Sequence, residues 1–132
     1  MNAVFDTNVF VSALLFGGRP RLALEKVIEG AVRLHISPDL IGELRTTLSR
    51  QKFKLSPEQT AFFIEEIEAL CTPVLPREKI KKACRDQKDH IVLECAVASA
   101  CDALVTGDED LLVLKTYRGV PIISVAGFLD RF

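Results

Sequence analysis

Five carboxylates stand where an apolar segment ends or a helix begins: Asp6 in VFDTN, Glu43 in SPDLIGELR, Asp89 in KDHIVLECA, and Asp108 with Asp110 in LVTGDEDLL. Brought together by a fold, their negative charges would repel one another strongly at short range, so the cluster would need a cation to be tolerable. The set therefore points to a divalent-metal site. Each acid also has a simpler use. Asp6, Asp89 and Asp108 suit helix N-caps, worth ~1 kcal/mol apiece, and Glu43 suits a solvated helix face. What favours a site is the whole set in this order, because clustered carboxylates concentrate where function needs them.

The elements that must position these acids alternate between strand and helix. Ala3 to Phe5 reads as a short buried strand, and Asp6, Thr7 and Asn8 are capping residues ahead of the apolar run Val9 to Phe16. Gly17 and Gly18 break that helix. Pro20 suits the first turn of the next, in which Leu24, Val27, Ile28 and Ala31 repeat at helical spacing. Val32 to Ile36 is expected to be a second strand. Ser37-Pro38 opens a helix with Leu40, Ile41, Leu44 and Leu48 as its stripe and Glu43 at the stripe's edge. Ser56-Pro57-Glu58-Gln59 has capping-box form and starts another helix through Phe63, Ile67 and Leu70, making a helical hairpin.

Cys71 to Leu75, cut by Pro73, reads as a short edge strand, and Arg77 to Arg85 as a short basic helix. Asp89 opens a helix through Val92, Leu93, Ala96 and Ala100. Ala103 to Thr106 is a small strand ending at Gly107 and Asp108, Leu111 to Leu114 a helical segment, Val120 to Val125 the last strand, and Phe128 with Leu129 a C-terminal turn. This order predicts an α/β fold: a central parallel sheet of four to five strands covered by helices on both faces, an α/β/α sandwich. In open parallel sheets the crevice lies beyond the carboxyl ends of the strands, where Asp6 and Asp108 fall; Glu43 and Asp89, in the first turns of their helices, can converge on the same edge.

Composition limits the alternatives. The chain has 132 residues, of which 48% are hydrophobic, enough for one compact domain spanning residues 1–132. No apolar stretch is long enough for a bilayer, and Asp6 interrupts the N-terminal run too early for a signal peptide, so a cytoplasmic protein without a membrane role is expected. Cys71, Cys84, Cys95 and Cys101 lack CxxC spacing and paired histidines and read as reduced buried thiols. A net charge of −1 gives no whole-molecule case for nucleic-acid binding. Local basic clusters at Arg19 and Arg21, at Arg45, Arg50, Lys52 and Lys54, and from Arg77 to Arg85 permit it without arguing for it. His35 reads as a packed strand residue. His90 has no second histidine at ligand spacing.

VFDTNVF, the ELR after Ser37-Pro38, the Asp-x-x-Val-Leu segment from Asp89 and VTGDEDLL together resemble the PIN domain, a family of small metal-dependent nucleases that includes many bacterial and archaeal toxins of toxin-antitoxin pairs. The resemblance covers almost the whole chain. It implies that Asp6, Glu43, Asp89 and Asp108 form the acidic centre, with Asp110 an accessory carboxylate and with Asn8 and Thr106 orienting carboxylates or water. The segment from Asp86 to Asp89 is similar to the family's Asp-Pro-x-Asp form, with Gln87 in place of proline.

The chemistry implied is hydrolysis of RNA phosphodiester bonds with Mg2+ or Mn2+, which favour oxygen ligands and leave positions open for water and phosphate. One ion or two would serve, and Glu43 is either a ligand or the holder of the hydrolytic water. The resemblance also implies an antitoxin partner and a homodimer. The alternative is a PIN-fold module that binds metal or RNA without turnover; the intact acid set favours the enzyme. Asn8, where a second aspartate would be needed, argues against a phosphatase of the haloacid type.

Overall fold

The structure, a computed structural model, describes residues 1–84 and 89–132. Six strands form one sheet in the order β3-β2-β1-β4-β6-β5, where β1 is Asn2–Phe5, β2 Arg33–Ile36, β3 Thr72–Pro73, β4 Ala103–Val105, β5 Thr116–Tyr117 and β6 Val120–Ile123. All pairings are parallel except β5 with β6. Ala3, Val4 and Phe5 are buried in succession, as are Ala103, Leu104 and Val105, so the central strands are covered on both faces. Phe5 meets Phe128 edge-on at 5.5 Å between ring centres and Phe10 at 5.7 Å, tying β1 to the first and the last helix of the chain.

Seven helices flank this sheet among the described residues: α1 Thr7–Leu15, α2 Gly18–Ile28, α3 Pro38–Leu48, α4 Pro57–Leu70, α5 Asp89–Ser99, α6 Glu109–Leu112 and α7 Val125–Arg131. Their starts follow local chemistry. The Ser37 hydroxyl accepts from the Leu40 N–H, and Ser56 with Gln59 completes a reciprocal capping box. The α3–α4 hairpin is joined through a single 3-10 turn, Gln51–Phe53.

The expected parallel α/β architecture is borne out, with differences at its margins. The sheet has six strands rather than four to five, because a two-residue antiparallel strand at Thr116–Tyr117, too short for an alternating pattern, pairs with β6. The last strand stops at Ile123 because Ser124 caps α7, which is a two-turn helix rather than a turn. Helix α2 begins at Gly18 and ends at Ile28, short of Ala31, so Arg19 and Arg21 lie at the start of a helix. Helix α6 starts two residues before Leu111 because Asp108 caps it.

No helix forms over residues 77–84. There Ile80 is the buried apolar residue, and backbone N–H groups turn to side chains of α5: Ile80 donates to Glu94, and Ala83 and Cys84 donate to His90 Nε2. Asp86 and Arg85 lie outside the described residues. None of the described helices is long and apolar enough to cross a membrane.

Candidate metal centre

The order of strands reverses between β1 and β4, which are neighbours in space although β2 and β3 lie between them in the chain. A crevice opens at such a switch point beyond the strand ends. Asp6 follows β1 there, and its N–H donates to Val105 O at 2.9 Å across the junction. Thr106 follows β4 and is fully buried, with its N–H donating to Ile123 O at 3.0 Å. Gly107 and Asp108 come next, so two acids leave adjacent strands at one edge.

Thr106 joins them. Its hydroxyl donates to Asp6 Oδ2 at 2.7 Å and accepts the Asp108 N–H at 3.0 Å, while Asp6 Oδ1 accepts the Thr7 N–H at 2.8 Å. Asp6 is only 7% exposed. Burial raises its pKa above the usual carboxylate value; the bonds from Thr106 and Thr7 work against that rise, and the charge of Asp108 adds to it. A cation beside Asp6 would relieve both the lost hydration and the repulsion.

Asp89 arrives from the other side as the first residue of α5, buried. Asp108 Oδ1 accepts the Asp110 N–H at 2.9 Å, which orients the Asp108 carboxylate at the start of α6. Asp89, Asp108 and Asp110 each place a carboxylate oxygen within 4.8 Å of the others. Oxygens on opposite sides of an ion bound at ~2.1 Å would be ~4.2 Å apart, so small side-chain adjustments suffice for a small divalent cation. The donors are all hard oxygens. The residues present thus fit Mg2+ or Mn2+ better than a soft metal.

Asp110, expected as an accessory, is a full member of this trio. Glu43 is the sixth residue of α3, in its second turn rather than its first, and neither it nor Asp6 belongs to the trio. Asn8 is exposed in the first turn of α1, and Thr106 is the residue that orients Asp6. His90 is buried and used as an acceptor for two backbone N–H groups, while His35 Nε2 lies 3.2 Å from Asn2 Oδ1. Burial, reinforced by Arg33, lowers the His35 pKa. The reading of the cysteines holds for Cys71, Cys95 and Cys101, which are buried free thiols; burial pushes Cys71 and Cys95 up to about 12.

Glu94 was not singled out by sequence, yet it is 5% exposed, with Oε2 accepting the Ile80 N–H at 2.8 Å and Lys79 Nζ 3.9 Å from Oε1. Its signal was a lone acid inside the apolar run IVLECAVA.

Residues 2–110 match the family model of the PIN domain. The chain belongs to the PIN domain family. Among curated proteins it is similar to the uncharacterized protein MJ1680 of Methanocaldococcus jannaschii, 27% identical over 118 residues that make up 87% of this chain and 76% of that one. Among solved structures it resembles VapBC2 from Rickettsia felis bound to a DNA fragment from their promoter, with a TM-score of 0.65 and 16% identity over 94% of this PIN domain and 98% of that chain. The second likeness is one of fold.

Proposed function

We propose that this PIN domain, residues 1–132 acting as a single unit, is a divalent-metal-dependent endoribonuclease and the toxin of a toxin-antitoxin pair. The observation that carries the proposal is the convergence of Asp89, Asp108 and Asp110 at the switch point, beside the buried Asp6. Asp89, Asp108 and Asp110 hold the ion, Mg2+ or Mn2+. Asp6 supplies a further carboxylate whose position is set by Thr106. A bound divalent ion supplies an activated water and charge neutralisation at the phosphate.

The protein's own part is positional. Carboxylates fixed by strand ends and helix starts need little rearrangement when substrate arrives, and the crevice leaves one side of the cluster for the RNA backbone. Glu43, from α3, serves as a ligand or holds the hydrolytic water; a metal-bound structure with Glu43 remote from both would remove it from the site. The family includes toxins, and the VapBC2 likeness adds support for an antitoxin partner. A homodimer and a cytoplasmic location accompany that reading.

The test is RNA cleavage by the purified protein with Mg2+ or Mn2+, with EDTA, and in folded Asp6→Asn and Asp89→Asn variants, after removal of any co-purified antitoxin. Metal-dependent cleavage that vanishes in both variants is expected. Metal binding without cleavage of any RNA would instead leave a non-catalytic binding module.

A further inference from the structure

Away from the acids, two segments without a single carboxylate meet. Residues 7–24 carry Arg19 and Arg21 and no acid, and residues 44–57 carry Arg45, Arg50, Lys52 and Lys54 and no acid. The first segment ends α1 at Phe16, whose side chain is 71% exposed, and the second contains the 3-10 turn Gln51–Phe53 between the hairpin helices. Phe16 and Phe53 pack with ring centres 6.2 Å apart and planes tilted by 57°, and Lys52 Nζ lies 5.1 Å from the Phe53 ring centre. Arg19, Arg50, Lys52 and Lys54, each within three residues in sequence of one of the two rings, are exposed and form no salt bridge with a described acid, whereas Arg21, Lys79 and Arg118 do.

The backbone turns directly after Phe16. Gly17 has φ 75° and ψ −135°, a region that suits glycine alone, so the chain turns sharply after Phe16 and brings Arg19 back at the start of α2. A solvated helix face would spread its charges and tuck the aromatic residue inward. Here an exposed ring has cations near it in sequence that pair with no carboxylate among the described residues.

We infer that Phe16 and Phe53, with Arg19, Arg50, Lys52 and Lys54, form a docking platform for single-stranded RNA, on which a base stacks against Phe16 while the cations meet flanking phosphates. The charge complementarity is to a polyanion, and an exposed aromatic ring accepts any base. The platform lies roughly 15 Å along α1 from Asp6, counting ~1.5 Å per helical residue, so it would grip the strand a few nucleotides from the bond cleaved. The inference rests on the RNA-directed reading of the acidic centre and assigns its substrate a second point of attachment.

Binding of a short, unstructured, fluorescently labelled RNA to the full chain, followed by anisotropy over a salt series, tests it. The Asp89→Asn background prevents cleavage. Phe16→Ala is expected to weaken binding about tenfold or more. Lys52→Glu with Lys54→Glu should weaken it further and flatten the dependence of log K on log salt by about 1.4, at ~0.7 for each phosphate no longer neutralised. Arg33→Glu with Arg131→Glu, the same charge change elsewhere, should have little effect.

Equal losses in both charge-reversed pairs, unchanged binding in the platform variants, or no RNA binding at all would overturn the platform. So would platform variants that dissociate a dimer in sedimentation while binding RNA as before, since that marks a surface between copies. The two readings fail separately: platform-dependent binding without wild-type cleavage removes the nuclease, and metal-dependent cleavage with platform-independent binding removes the platform.

Discussion

Asp6 and Glu94 are buried to nearly the same extent, 7% and 5% exposed, and they belong to opposite kinds of polar assembly. Asp6 accepts two hydrogen bonds but shares its edge with further carboxylates, and burial raises its pKa. Glu94 has a backbone N–H and the Lys79 ammonium around it, and one helical turn earlier His90 accepts two more N–H groups from the same loop. The second assembly closes on itself and, over residues 77–84, stands in place of the helix expected from Arg77 to Arg85. The first gathers carboxylates at one edge, where a cation would balance them. Burial alone therefore does not mark a functional acid; the sign of its neighbours does.

Four measurements would break or sharpen that contrast. The largest effect should come from Asp89→Asn or Asp108→Asn, which are expected to abolish metal-dependent cleavage while the folded state, followed by circular dichroism, persists. Thr106→Val should come next, at about 10–100-fold in metal affinity or rate, because it removes the hydroxyl that orients Asp6 without touching a carboxylate. Glu94→Ala should act on the other side of the comparison. It leaves the buried Ile80 N–H without its acceptor and should cost about 1–3 kcal/mol in equilibrium denaturation. If Thr106→Val instead lowered stability as much as Glu94→Ala and left activity intact, the distinction between the two assemblies would collapse.

The smallest effect is a pH dependence. The folded pKa of Asp6 is raised, so its contribution to stability is fully present below the unfolded-state value and lost as pH rises through the folded value. In EDTA the melting temperature of the wild type should fall across that window, and Asp6→Asn should flatten the fall. Adding Mg2+ should restore stability to the wild type at neutral pH more than to the variant. A wild-type curve identical to that of Asp6→Asn would show that Asp6 is not the strained member of the cluster.

The strands of the central sheet, the caps at Ser37 and Ser56 and the acids at strand ends were legible because each depends on residues close in sequence. The hairpin strand at Thr116–Tyr117 was not, since a two-residue edge has no period to detect. Residues 77–84 misled for a related reason: their basic residues suit a helix, but the backbone is claimed by Glu94 and His90, acceptors that only the packed α5 brings into reach.

The same division runs through the candidate site. Sequence alone determined which residues can carry charge there, and that Asp6 and Asp108 would leave strands at the carboxyl edge, because strand ends and capping residues are local properties. Only the tertiary structure decided that Asp110 joins Asp89 and Asp108, that Thr106 bridges Asp6 to Asp108, and that Glu43 lies outside the trio. Those outcomes depend on which strands become neighbours at the switch point and on how α5 and α6 are aimed across it, and packing of the whole core sets both.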